Sequence, residues 1–153
     1  MRIGDICKRP VVHCTRDTRV TEIAKLMQRH HVGDVVVVDV RSGGLVPVGI
    51  VTDRDLVIDV LAQNVVADAL TANDLIKGEL VTAMQGEVVH DAIWYMRGRG
   101  VRRLPVVDER GYLVGILTAD DVSRFLATEL SDFAQLPSHQ IRRETAVAAS
   151  ASV

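Results

Sequence analysis

Gly49-Ile50-Val51-Thr52-Asp53-Arg54-Asp55 returns later in the chain as Gly115-Ile116-Leu117-Thr118-Ala119-Asp120-Asp121, and each copy closes a segment assembled in the same order of apolar runs and polar breaks. The match extends upstream. Val20, Met27, Val32, Val37, Val38 and Asp39 reappear as Val89, Met96, Val101, Val106, Val107 and Asp108, a constant spacing of 69 residues (39 to 108). At the glycine motif the spacing is 66 (49 to 115), so the first copy carries three extra residues. Insertions are tolerated in exposed turns, which places them in a loop around Arg41-Ser42-Gly43-Gly44. A repeat of this length signals two supersecondary units, each with an apolar face too large to leave wet, that bury those faces by stacking.

Within each copy the periodicity assigns the elements. Ile23, Leu26, Met27 and His30 fall at helical spacing over Thr21 to His31, as Val89, Ile93 and Met96 do at His90 to Arg99. The runs Val35-Val36-Val37-Val38 and Leu104-Pro105-Val106-Val107 are continuous, apolar and short, the pattern of strands buried on both faces. Second strands follow at Val46 to Val51 and Leu113 to Leu117, with Glu109-Arg110-Gly111 supplying the second turn. Helices follow the motifs at Leu56 to Ala62 and Val122 to Phe133. Short lead-in strands are expected at Val11-Val12 and Leu80-Val81, preceded by brief segments at Ile3 to Cys7 and Asn73 to Lys77. The fold expected is mixed α/β (α+β), two β-α-β-β-α repeats. The division is 1–62 for the first repeat, 63–76 for a linker, 77–134 for the second repeat and 135–153 for a loosely ordered tail.

Composition narrows the function classes. The 153 residues suffice for one well-buried core. Aromatics make up only 3% of the chain, too few to offer stacking platforms for bases, and a net charge of −2 provides no field to hold a polyanion. Nucleic acid is therefore not the expected partner. No uncharged run reaches the length needed to span a bilayer, and no apolar stretch of signal-peptide type opens the chain, so a cytoplasmic protein is expected. Cys7 and Cys14 are the only cysteines, and in that compartment they are expected as reduced thiols.

The pattern over Ile3 to about Leu130 resembles a tandem pair of cystathionine-β-synthase (CBS) domains, standalone regulatory modules that bind adenosine-containing ligands. The hallmark is a strand ending in Gly-apolar-apolar-Thr/Ser-x-x-Asp that opens a helix, and both copies carry it without substitution. The resemblance implies packing about a pseudo-twofold axis with two clefts between the repeats.

The residues themselves allow two readings of this motif. Thr52 and Asp55, like Thr118 and Asp121, sit at i and i+3 where a strand becomes a helix. A hydroxyl accepting from a backbone N–H while the acid reaches back is a capping box, worth about 1 kcal/mol. The same geometry suits a nucleotide. Gly49 and Gly115 let a flat ring approach the backbone, a helix N-terminus attracts phosphate, and the carboxylate of Asp55 or Asp121 can accept from both ribose hydroxyls.

By resemblance, Val12, His13, Val81 and Thr82, with Val32-Gly33-Asp34 and Val101-Arg102-Arg103, line the clefts. Arg102 and Arg103 would grip phosphate in the second half. The first half has Gly33 and Asp34 there, with Arg54 as compensation, so the two clefts should differ in affinity. The Arg pair also reads as part of a solvated basic face.

The expected ligand is an adenine nucleotide or other adenosyl compound: AMP, ADP, ATP, NAD or S-adenosylmethionine. The expected partners are a second copy of the chain, by resemblance, and an effector protein that the sequence does not name. An apolar stripe of Val122, Phe125, Leu126, Leu130 and Phe133 would either pair with that copy or cover the sheet.

No nucleophile with an adjacent base, no Walker glycine loop and no carboxylate pair across a cleft is present, so no catalytic residues are assigned. Cys7, His13, Cys14, His30 and His31 gather early, but without the short spacings of zinc sites no metal is assigned. The alternatives are a ligand-free dimeric scaffold and a metal-binding stress protein.

Overall fold

In the computed structural model the backbone is described for residues 1–150 and the side chains for residues 1–136. The first repeat runs β1 (His13–Thr15), α2 (Val20–His30), β2 (Asp34–Arg41), β3 (Gly44–Thr52) and α3 (Asp53–Asp55), the last continued by a π-helical stretch over Leu56–Leu61. It is preceded by α1 (Ile3–Ile6). The second runs α4 (Ala72–Leu75), β4 (Ala83–Met84), α5 (Val89–Arg99), β5 (Arg103–Val107), β6 (Leu113–Thr118) and α6 (Ala119–Ser150). Each repeat forms a three-stranded sheet, ordered β1-β2-β3 and β4-β5-β6, with the first pair parallel and the second antiparallel. This is the mixed architecture expected from the repeat.

The valine run of β2 shows why continuous apolar strands were needed. Val35 and Val37 face α2 in one core, with Ile23, Met27 and Val51, while Val36 and Val38 face the other sheet. There they meet Ile116, flanked by Val11, Leu45, Ile50 and Leu113. A second intra-repeat core gathers Val89, Ala92, Met96, Leu104, Val106, Leu117 and Val122.

Four expectations change. The lead-in strands lie later than Val11-Val12 and Leu80-Val81, at β1 and β4, because the residues before them cross to the opposite sheet. The three extra residues of the first copy do not enlarge a loop. They lengthen the β2–β3 ladder to Arg41↔Gly44, leaving two residues in the turn, whereas five separate β5 from β6. Tyr112 from that longer turn lies against the first hairpin, so a Cβ at Gly43 would meet its hydroxyl. The segment from 135, expected as a loose tail, carries the backbone of α6 to Ser150, and 151–153 lie outside the described residues.

Fourth, the leading segments are exchanged. Ile3 of α1 is fully buried in the second repeat's core, and Ala72 and Leu75 of α4 are buried in the first. The bridges Arg2↔Val88 and Arg19↔Thr71 are the same contact made reciprocally, as a pseudo-twofold requires.

Candidate functional site

Both motif copies form the capping box. Asp55 N donates to Thr52 Oγ1 at 3.2 Å, and Thr52 N donates back to Asp55 Oδ2 at 2.8 Å. Asp121 and Thr118 repeat this at 3.2 and 3.1 Å. In each copy the threonine hydroxyl also donates to the same Oδ2 at 2.6 Å. The box is a structural device in its own right, since Thr71 and Asp74 build it again at α4 with Thr71 N to Asp74 Oδ2 at 2.8 Å. That leaves Oδ1 of Asp55 and of Asp121 for other work.

A lysine holds each of them. Lys8 Nζ lies 3.0 Å from Asp121 Oδ1, and Lys77 Nζ lies 3.7 Å from Asp55 Oδ1 while bonding Asp59 as well. The two lysines are pseudo-equivalent, 69 residues apart, and ride on the exchanged segments. The repeat register carried this signal, and the sequence reading missed it. Burial would raise the Asp121 carboxyl, but hydrogen bonds from Thr118 and Lys8 outweigh it and hold the group below its ordinary value. The hydrogen bond to Asp59, with the nearby charge of Asp55, keeps the Lys77 ammonium above its ordinary value.

The exchange also re-sorts the clefts. Gly49 of the first motif faces Ile76, Lys77, Gly78, Glu79, Leu80 and Val81, with Val101 and Arg103 beyond, around a cavity of about 170 Å³. The first motif thus opposes the second repeat's lead-in, and Arg103 lines the Gly49 cleft. At the other motif, Cys7 and Lys8 lie on Gly115, where a Cβ would come 2.4 Å from Cys7 Sγ. Asp121 keeps 7% of its side-chain surface, Asp55 24%.

The remaining residues divide. Arg103 Nε pairs with Asp34 Oδ2 at 2.5 Å, joining the starts of β5 and β2, and its guanidinium reaches Gly33. Asp34, placed by the sequence in the first half's cleft, therefore pairs with Arg103 of the second half. Arg102 is exposed, 3.5 Å from Asp120, in keeping with a solvated face, and Arg54 is exposed at the start of α3. Val12 packs beside the first core and Val81 beside the second. His13 is exposed, its Nδ1 3.0 Å from the Val11 carbonyl oxygen. Cys7 and Cys14 are free thiols, and no group of three His, Cys, Asp or Glu side chains suited to a cation occurs among the described residues. No helix among them is long and apolar enough to cross a membrane.

The CBS domain family model matches residues 3–61 and 72–128. The protein MK0525 of Methanopyrus kandleri is 36% identical over 120 residues, 78% of this chain and 60% of that one, so the chain spans about three fifths of this relative. Among solved structures, the CBS domain pair of MJ0100, in complex with 5'-methylthioadenosine and S-adenosyl-L-methionine, superposes with a TM-score of 0.72 at 28% identity, covering 84% of this chain and 98% of that one. The CBS domain protein PAE2072 of Pyrobaculum aerophilum, complexed with AMP, gives 0.71 at 27% identity, covering 84% and 99%. With two matched repeats, exchanged leading segments and a glycine-led capping motif in each half, this chain belongs to the CBS domain family, as a tandem pair.

Proposed function

We propose that the chain is a non-catalytic regulatory module of the cytoplasm that binds an adenosine-containing ligand between its repeats and reports it through a change of shape. The observation that carries this reading is the Gly49 cleft. Gly49 and Arg103 line it, and Lys77, also of the lining, lies 3.7 Å from Asp55 Oδ1, the oxygen that the helix cap leaves outside. Likeness to pairs solved with AMP, 5'-methylthioadenosine and S-adenosyl-L-methionine supports the ligand class. A ligand shifts the shape only by its differential affinity for the two states, and output then passes to a second copy or an effector protein. Thermal melts with AMP, ATP, NAD and S-adenosylmethionine test the reading. A compound that binds the folded state raises the midpoint with concentration, and a flat response to all four refutes a sensor.

A second reading, a dimeric scaffold without ligand, draws on the walled-in Asp121 and on an apolar face. Val122 and Phe125 of the predicted stripe turn inward, but Leu126, Leu130 and Phe133 are 48%, 68% and 70% exposed. Trp94 on α5 is 70% exposed. Surfaces of this kind favour self-association in either reading. Sedimentation of wild type and Phe133→Glu tests it: a dimer that the substitution splits supports the face, and a monomeric wild type removes it.

A further inference from the structure

We propose that each chain takes one adenosyl ligand, at the Gly49 cleft, and that the ligand's ribose enters by displacing Lys77 from Asp55. The inference rests on the sensor reading and decides which of two pseudo-equivalent clefts does the sensing.

The clefts differ in how they are roofed. Over Gly115 the strap 7–12 is fastened by a two-way backbone bridge, Lys8 N to Ile116 O at 2.8 Å and Ile116 N to Lys8 O at 3.1 Å. Asp121 behind it is held by Lys8 and approached by Arg124 at 3.9 Å. Over Gly49 the strap 76–81 has no corresponding bridge between Lys77 and Ile50 among the described residues.

The residues that follow the two lysines differ in the same sense. Arg9-Pro10 stiffens the first strap, since proline fixes φ and gives up its N–H. At the equivalent places the second has Gly78-Glu79, with Gly78 at φ +63°, a conformation glycine adopts freely. One strap is fastened and stiff. The other is hinged.

Size gives the mechanism. The Gly49 cavity of about 170 Å³ is smaller than the roughly 300 Å³ at which small-molecule sites begin. An adenosyl ligand therefore requires the strap to lift, and the contact that lifting breaks is the 3.7 Å pair between Lys77 and Asp55 Oδ1. That oxygen then accepts from the ribose diol, while Oδ2 stays in the cap. Lys77 keeps Asp59 as its partner throughout.

Calorimetry of the full chain with adenosine and with AMP tests this, using wild type, Asp55→Asn, Lys77→Met and Lys8→Met, each first shown to melt cooperatively. One ligand per chain is expected. Asp55→Asn should weaken binding at least 10-fold, by loss of a charged acceptor. Lys77→Met should tighten adenosine about 2- to 5-fold, because the competitor for Asp55 is gone, and Lys8→Met should change neither ligand. Two ligands per chain, unaltered binding by Asp55→Asn, or equal effects of the two lysine variants would overturn the inference and leave the sensor reading standing. A wild type that binds no member of the wider adenosyl panel overturns the sensor reading itself.

Discussion

Gly115→Ala measures whether the exchanged N-terminal segment lies on the second sheet as described. Glycine is not required there by its φ, so an alanine is opposed by space alone. Its Cβ would come 2.4 Å from Cys7 Sγ, 3.1 Å from Cys7 Cβ and 3.3 Å from the Lys8 carbonyl oxygen. The last atom belongs to the backbone bridge with Ile116, so it cannot step aside without breaking a hydrogen bond.

Overpacking of this kind costs about 1–3 kcal/mol, which a strand's mild preference for alanine over glycine offsets by about 0.5–1 kcal/mol. The net expectation is a loss of about 1–2 kcal/mol, or roughly 2–8 °C in melting temperature for a chain of this size. At Gly49 the obstacle is the Ile76 side chain, at 2.6 Å, on the hinged strap, and Gly49→Ala should cost less.

Urea unfolding of Gly115→Ala, Cys7→Ala and the double variant supplies the cycle. Cys7→Ala removes the sulfur, so the double variant should be more stable than the sum of the single effects by about 1 kcal/mol. Strict additivity, or a Gly115→Ala protein as stable as wild type, would refute the placement of the 7–12 strap.

Three further outcomes are expected. Arg103→Met should cost about 1–2 kcal/mol, because it strands the Asp34 carboxylate, discounted for the third of the Arg103 side chain that solvent reaches. Adding Asp34→Asn should restore part of the loss in urea titrations, and no recovery would deny the pair. For acid, the Asp121 carboxyl lies below its ordinary value when folded, so its contribution is present above about pH 4 and is lost as pH falls through the folded value. Asp121→Asn should therefore flatten the fall in melting temperature below pH 4, and an unchanged slope would remove that linkage. Burial, with the charge of Asp17, pushes the Cys14 thiol up to about 11 against a hydrogen bond from Thr18. Mass spectrometry after labelling at pH 8 should find half-buried Cys7 modified and Cys14 untouched until the protein unfolds.

The architecture was legible because duplication and period agree. The run Val35 to Val38 can be nothing but a strand packed on both sides once it recurs at Leu104 to Val107, and Thr52 and Asp55 read as a cap from spacing alone. What escaped were relations between the halves. The lead-in residues Val11-Val12 and Leu80-Val81 have strand composition, yet they serve as crossing straps, because pairing is set by where the opposite sheet lies. That Arg103 lines the Gly49 cleft was hidden for the same reason: a repeat shows which residues correspond and not which ones meet. Lys8 and Lys77 were detectable, since they fall on the 69-residue register, but a charged residue outside the motif carries no sign of its partner.

In the proposed sensor, that exchange would couple stability to ligand binding. Burying an isoleucine such as Ile3, 0% exposed, stabilises by roughly 1.5–3 kcal/mol, and here the gain accrues to the repeat at the other end of the chain. Each segment that completes a foreign core continues directly into the strap over that core's glycine strand. The anchor of strap 76–81 is Leu75, 4% exposed in the first core, so a ligand that lifts the strap cannot drag the anchor with it. In the proposed sensor the displacement would be absorbed at Gly78, where φ is +63°, and passed on toward Val81 and β4. From there the cleft touches Arg103, whose pair with Asp34 joins the two sheets. On the proposed reading, a change at Asp55 would reach the relative setting of the repeats through these contacts, with the fastened strap over Gly115 as the fixed side.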